Sequence, residues 1–168
     1  AVTVAKASGS AKGITMADQW RISSNYEFAD TSSHDITANW ERNDSTGFGS
    51  IGTGMTESSG IFTFPQTGIY WIRLTATTLT STGSSTAITA YIYAQKNSGS
   101  WASKAQGSEA GHTTNAYGTL SIDFIFDVED VSADKVKMVA QANNADRKIL
   151  ASSTAQRTGF TFIRLGDT

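Results

Sequence analysis

The sequence predicts an all-β protein, built as an antiparallel two-sheet β-sandwich. From Trp20 onward, apolar residues recur with period two in short runs that Gly, Ser, Asn and Asp interrupt. The large apolar residues are mostly Ile, Phe, Tyr and Trp rather than Leu, a composition that favours strands over helices. Helical periodicity never extends beyond a turn, so we predict no helix.

The period-two runs define about eight strands in chain order. The clearest alternates Leu120, Ile122, Phe124, Phe126 and Val128 with the polar residues Ser121, Asp123 and Asp127. Two weaker candidates lie near Ser100–Lys104 and Ile149–Ala151, with loops at Asn43–Ser59, Leu79–Ser85, Asn97–Ser100, Gln106–Gly118 and Ala142–Lys148. The predicted strands are Trp20–Phe28, Ile36–Arg42, Gly60–Phe64, Gly68–Thr78, Thr86–Lys96, Leu120–Val128, Lys135–Gln141 and Gly159–Leu165.

Composition predicts a folded chain with a thin core. Ser, Thr, Ala and Gly make up 80 of the 168 residues, while Leu, Ile, Val and Phe make up only 32. The net charge of −2 is too small to favour disorder. No internal repeat or boundary divides the sequence, so we predict one domain over residues 19–168, preceded by an extended lead-in or attachment segment over residues 1–18.

Charge and residue usage exclude several classes of partner. A pI near 5.6 and scattered Lys and Arg residues provide no basic field, so we expect no nucleic-acid partner. No run of about 18 apolar residues occurs, so we expect no membrane insertion. The absence of cysteine removes disulfides, thiolate nucleophiles and Cys-based zinc sites.

Motifs that suggest catalysis lack their required context. Gly47–Gly52 spells G-x-G-x-x-G, but no helical pattern follows, so a surface loop explains it better. Ser132–Lys135 spells S-x-x-K without the companion motifs of Ser–Lys acyl enzymes. His34 and His112 lie in polar segments with no adjacent ligand or base. We therefore predict a non-enzyme with no cofactor.

An acidic segment allows two interpretations. Its carboxylates could hold a hard cation, but they lack the spacing of a calcium loop. A solvated turn between strands is the alternative, and we assign no metal site. The segment contains Asp127, Glu129, Asp130 and Asp134.

The most informative segment surrounds the single proline, Pro65. A strand ends at Phe64, Pro65 sets φ for a tight turn, and Gly68 can adopt the positive φ that closes it. The segment resembles the signature of C1q/tumour-necrosis-factor-like jelly rolls. The matching positions, in order and spacing, are Gly60, Phe62, Pro65, Gly68, Tyr70 and Ile72.

Further segments match this family in the same order, so the resemblance covers roughly residues 20–165. Tyr91–Asn97 is similar to a family strand that ends in Lys-Asn, and Leu120–Val128 to its long apolar strand. Gly159–Leu165 is similar to its Phe-rich closing strand. These segments add Phe124, Phe126, Phe160 and Phe162 to the core signature. The calcium-binding positions of the family have no match here.

A narrower resemblance is to structural proteins of marine bacteriophages, cyanophages in particular. It rests on Asp18–Arg21, Asn39–Arg42 and the glycine-rich stretch Gly47–Gly60. The resemblance implies a virion surface protein, such as a tail-fibre head, knob or capsid decoration. Its partners would be other virion proteins, through the N-terminal segment, and a host-envelope glycan or protein.

The family resemblance also implies a homotrimer, and the residues provide an independent argument for it. If Tyr70, Ile72, Phe124 and Phe162 face the core, then their apolar neighbours face outward, where a monomer should be polar. We therefore predict a trimer interface containing Ile69, Trp71, Ile125 and Ile163. The alternative is that Trp71 packs under a loop of its own chain.

Three aromatic residues near loops are candidates for ligand contact: Tyr26, Trp101 and Tyr117. The alternative for each is a lid on the edge of the core.

Two functions remain open, a virion surface protein or a secreted or cell-surface C1q-like recognition domain. The first places the protein on the virion surface, outside the cell.

Overall fold

The structure is a computed structural model that describes residues 13–81, 86–111 and 113–168. Within these ranges it contains thirteen β-strands and no helix, which confirms the predicted all-β class. His112 and most of the predicted lead-in lie outside the described residues. The strands are β1 (Ala17–Ile22), β2 (Tyr26–Glu27), β3 (Ser33–Asp35), β4 (Trp40–Arg42), β5 (Thr56–Ser58), β6 (Ile61–Thr63), β7 (Gly68–Thr80), β8 (Thr86–Gln95), β9 (Ala102–Gly111), β10 (Tyr117–Val128), β11 (Lys135–Ala142), β12 (Arg147–Leu150) and β13 (Gly159–Gly166).

The strands form two antiparallel sheets, as the sequence predicts. In sheet A the long strand β7 pairs with β10 on one edge, and with β13 and then β12 on the other. β1 and β4 extend sheet A beyond β13, and β2 extends it beyond β12. Sheet B has the order β5–β6–β11–β8–β9, with β3 also paired to β11.

The core lies between the sheets and is dominated by aromatic rings that pack mostly edge-on or tilted. Phe62 is at its centre, with ring centroids 5.5 Å from Trp20, 5.0 Å from Trp40, 5.2 Å from Phe160 and 5.3 Å from Phe162. Phe62, Phe160 and Phe162 are all fully buried. Such aromatic pairs stabilise the fold by more than the burial of their apolar area alone accounts for. Aromatic residues therefore compensate for the small number of aliphatic ones.

The proline segment forms the tight turn that the sequence predicts between β6 and β7. Gly68 has φ of 139°, and a Cβ there would lie 2.5 Å from Nε of Arg164. The Tyr70 hydroxyl donates to the Gln66 carbonyl at 2.8 Å. Burial raises the pKa of Tyr70 to about 12, so its hydroxyl stays protonated as a donor.

Several predicted boundaries are wrong. The predicted loop Gln106–Gly118 contains most of β9 and the start of β10. The predicted strand Trp20–Phe28 divides into β1 and β2. Of the predicted strand Ile36–Arg42 only Trp40–Arg42 is a strand, because Asn39 immediately before it adopts a φ of 63°, outside the strand region.

Candidate interaction surfaces

The outer face of sheet A carries a continuous row of apolar residues across neighbouring strands. Trp71 in β7 pairs with Ile125 of β10 on one side and Ile163 of β13 on the other. Ile163 pairs with Ala17, which forms an isolated bridge to Ile51. At about 4.8 Å per strand the row extends about 19 Å. We call these five residues the apolar row.

The apolar row is accessible in the isolated chain. Ile125 is 64% exposed and Ile51 is 47% exposed, while Trp71 is half-buried. Their chain neighbours point inward, since Ile72 has no exposed surface and Phe126 only 7%. Strand alternation thus places one apolar set in the core and a second on the outside.

Trp71 differs from the other sheet A tryptophans in the partner of its indole N–H. Trp20 donates to the Asp18 carboxylate at 2.9 Å, and Trp40 donates to the Ile36 carbonyl at 2.7 Å. The Trp71 indole N–H has no hydrogen bond within residues 13–81, 86–111 and 113–168. Trp71 is therefore half-buried, but no hydrogen bond from the described part of its own chain holds its indole edge.

Toward the Thr80 end of β7, the same face becomes polar. Thr75 and Ser121 are joined across β7 and β10 at 3.2 Å, and Thr77 and Thr119 at 3.3 Å. The apolar row is therefore a band at one end of the outer face rather than a general property of the surface. Ile69 is half-buried and Leu165 is 54% exposed beside the band.

The three aromatic residues predicted to contact a ligand do not lie together. Tyr26 is half-buried, and its ring packs edge-on against Phe28 with centroids 5.2 Å apart. Tyr117 is 65% exposed at the start of β10, where it pairs with Leu79. Trp101 precedes β9 in sheet B, at the end of the sandwich opposite to Tyr117.

Trp101 instead joins an aromatic group that the sequence did not single out. Tyr91 and Tyr93 lie on the outer face of sheet B, with ring centroids 5.9 Å apart. The Lys137 ammonium lies 4.7 Å from the Trp101 ring and 6.0 Å from the Tyr93 ring. We call Tyr91, Tyr93 and Trp101 the Tyr–Trp patch. The sequence signal for this group was the period-two spacing of Tyr91 and Tyr93, which places both side chains on one face of a strand.

The acidic segment is organised around one buried carboxylate rather than being a solvated turn throughout. Asp134 has no exposed surface and accepts the backbone N–H of Asn97 at 2.7 Å, Glu129 at 2.9 Å and Asp130 at 3.2 Å. It also accepts from the Lys96 ammonium at 3.0 Å. Among the described residues, no group of three or more His, Asp or Glu side chains is arranged to hold a metal ion.

We expect Asp134→Asn to destabilise the fold by about 1–3 kcal/mol at neutral pH. Burial by itself raises the pKa of Asp134, but the hydrogen bonds to its carboxylate outweigh burial and lower it below the usual value. The stabilisation is therefore present above the unfolded-state pKa of about 4 and is lost as pH falls through the lower folded-state pKa. Urea unfolding at neutral and acidic pH measures the difference.

The matched control is Asp146→Asn, which removes an exposed carboxylate that has no hydrogen bond to any described residue. Its free energy of unfolding should differ little from that of the unmodified chain. An equal loss in the two variants, or a loss for Asp134→Asn that does not shrink in acid, would contradict the prediction.

This geometry defines an antiparallel two-sheet jelly roll with an exposed apolar band. Its fold is similar to that of "Eiger TNF" from S. frugiperda, with TM-score 0.67, 12% identity, and 92% of this chain and 95% of that chain covered. Two structures of murine APRIL give TM-scores of 0.62 and 0.63 at 13% and 14% identity, each covering 89% of this chain and 98% of that chain.

These similarities confirm the predicted tumour-necrosis-factor-like jelly-roll fold. No protein-family model matches the sequence, and no curated protein matches it. No helix in the described ranges is long and apolar enough to cross a membrane.

Proposed function

We propose that this protein is a non-enzymatic homotrimer that acts by non-covalent recognition. The apolar row is the observation that supports the proposal. An apolar band about 19 Å long, containing an unanchored tryptophan, favours burial against another copy over contact with water. Once assembled, the rigid sandwich presents its loops for binding.

The distribution of the apolar row favours a closed ring. Ile125 lies on the edge strand β10, whereas Ile163 and Ala17 lie on interior strands of the same sheet. The edge of one copy can therefore pack on the face of the next, which is a heterologous contact. Heterologous contacts close into rings when the rotation between copies allows it.

Sedimentation equilibrium at micromolar concentration tests the proposed assembly. The expected species has a mass of about 54 kDa, three times the 17.9 kDa of the chain. A stable monomer would refute self-association, and a stable dimer would refute the ring. Covalent turnover of a glycan or ester substrate would refute the non-enzymatic part of the proposal.

We further propose that the trimer is a bacteriophage virion surface protein, a tail-fibre head, knob or capsid decoration. The support is the similarity of residues 18–21, 39–42 and 47–60 to marine phage structural proteins. The N-terminal segment would bind other virion proteins, and the exposed loops a host-envelope glycan or protein, or the shell itself.

A secreted or cell-surface C1q-like recognition domain is the second candidate, favoured by the fold likeness to Eiger TNF and APRIL. Detection of the chain in purified virions, with antibody labelling at a defined position on the particle, separates the two. Absence from virions would remove the virion proposal and leave the trimer proposal unaffected.

A further inference from the structure

The outer face of sheet B holds the Tyr–Trp patch in a fixed arrangement. The Lys137 ammonium contacts both the Trp101 and Tyr93 rings, at 4.7 Å and 6.0 Å from their centroids. It also forms an ion pair with Asp35 at 2.6 Å, and its side chain is only 15% exposed. Cation–π contact and ion pair together restrict the rings, which lowers the entropic cost of binding a ligand.

The patch leaves hydrogen-bonding groups unused. The hydroxyls of Tyr91 and Tyr93 and the indole N–H of Trp101 have no hydrogen-bond partner within the described part of the chain. By contrast, the buried Tyr70 hydroxyl is bonded within its own turn. All three patch residues are half-buried, and each keeps part of its ring and its polar edge in contact with solvent.

Two lysines next to the patch have no ion-pair partner among the described residues. Lys104 is exposed at the irregularity where β9 shifts register beside Tyr93. Lys135 is half-buried, and its backbone pairs with Gln95. Gln95 is the next residue after Tyr93 whose side chain lies on the same face of β8. Because Asp35 neutralises Lys137, these lysines give the patch a local excess of positive charge on a chain of net charge −2. The patch is therefore complementary to an anion.

We propose that the Tyr–Trp patch binds an acidic saccharide, one that carries carboxylate or sulfate groups. The C–H face of a sugar ring would stack on Trp101 and Tyr93, and sugar hydroxyls would bond to the phenol and indole groups. The acidic substituents would pair with Lys104 and Lys135. This inference rests on the proposed recognition function and names its ligand class.

A saccharide fits these observations better than a nucleic acid does. Aromatic platforms with cations also bind single-stranded nucleic acids, but those sites follow a closely spaced polyphosphate with many basic residues. Here two lysines without an ion pair among the described residues flank the patch, on an acidic protein. The patch also lies on the sheet opposite the apolar row, so it stays accessible in the proposed trimer.

Titration of the full chain with one neutral and two acidic saccharides tests the proposal. Mannuronate hexasaccharide supplies carboxylates, mannohexaose supplies a comparable neutral chain, and a sulfated galactan oligosaccharide is the second acidic probe. Calorimetry and tryptophan fluorescence measure binding. We expect at least one acidic probe to bind about tenfold more tightly than mannohexaose, and to weaken as salt rises.

Variants locate the site. Trp101→Ala and the double variant Lys104→Gln/Lys135→Gln should each weaken binding by about tenfold. Phe48→Ala and Arg157→Gln are matched controls, because they remove a half-buried aromatic ring outside the patch and an exposed cation that has no ion pair among the described residues. These controls should bind as the unmodified chain does.

Four results would overturn the proposal: no binding of either acidic probe, equal binding of mannohexaose, unchanged binding by Trp101→Ala, or tighter binding of oligothymidylate. Sedimentation of the same samples separates this site from the assembly. If Trp101→Ala remains trimeric but loses the saccharide, both proposals stand. If the unmodified chain is monomeric yet binds through Trp101, only the trimer proposal fails.

Discussion

Replacing Ile125 with Arg is expected to convert the trimer into a folded monomer. The side chain is 64% exposed in the isolated chain, so an arginine there has room and solvent and leaves the core intact. In the assembly the same guanidinium would be desolvated within the apolar row, and Asp123 and Asp127, two positions away on the same face of β10, would offset only part of that cost. Desolvation of a charge costs several kcal/mol, so a loss of about 4 kcal/mol, or about a thousandfold in affinity, is expected.

Sedimentation velocity over a dilution series measures this change, and Gln106→Arg is the matched control. Gln106 is exposed on the outer face of sheet B, opposite Tyr91, so its replacement adds the same charge away from the apolar row. The control should stay trimeric. If Ile125→Arg and Gln106→Arg sediment alike as trimers, the apolar row is not the interface.

Self-association would also explain how so thin a core is stable. Any equilibrium that binds only the folded chain raises its apparent stability by mass action. The melting temperature of the unmodified chain should therefore rise with protein concentration, whereas that of Ile125→Arg should not.

The parts of the fold that depend on alternating apolar residues were predictable from the sequence. The inward residues of β7, β10 and β13 follow strict alternation, and the same alternation places Ile125 and Trp71 on the outer face. The turn at Pro65 was predictable because proline and Gly68 restrict the backbone in a known way.

Only the start of β9 was predicted, by the weak candidate near Ser100–Lys104, and the rest of the strand was not predictable by that argument. Its inward side faces β10 at close range, and a Cβ on Gly107 would lie 2.7 Å from the Ile122 side chain. The inward residues of β9 are the small Ala105 and Gly107 and the charged Glu109, so β9 has no apolar periodicity to detect. Strand β9 is held to β8 by backbone hydrogen bonds, which any sequence can form and which the local sequence therefore does not reveal.

The Tyr–Trp patch and the buried polar groups were missed for a different reason. Lys137 and Trp101 are 36 positions apart, and Arg147 and Glu109 are 38 positions apart. Their contacts depend on sheet register, which a single sequence does not specify. Among the predicted ligand residues, only Trp101 lies in the patch.

The buried pair Arg147–Glu109 is the polar feature with the largest expected effect on stability. Arg147 has no exposed surface and donates to the Glu109 carboxylate at 2.5 Å. It also bonds to the Thr80 hydroxyl, while the Thr78 hydroxyl donates to Glu109 at 2.6 Å. Gly118 permits this approach, because a Cβ there would lie 2.0 Å from the Glu109 carboxyl carbon.

We expect Arg147→Met to destabilise the monomer by about 3–5 kcal/mol, because it leaves Glu109 largely buried without its cation. Urea unfolding in the Ile125→Arg background measures this loss without coupled dissociation. Lys148→Met is the matched control, since Lys148 pairs with Glu27, whose side chain is 66% exposed. An exposed pair of that kind contributes at most about 1 kcal/mol.

The double variant Arg147→Met/Glu109→Gln decides whether the loss comes from the uncompensated charge. A glutamine carbonyl can still accept from Thr78 but carries no charge, so the double variant should recover about 1–3 kcal/mol relative to the sum of the single changes. Arg147 Nε has no partner in the described part of the chain, so the native pair already bears one unmet donor. The pair as a whole therefore contributes less than breaking it costs. Additive losses would instead mean that Arg147 stabilises the fold through its packing alone.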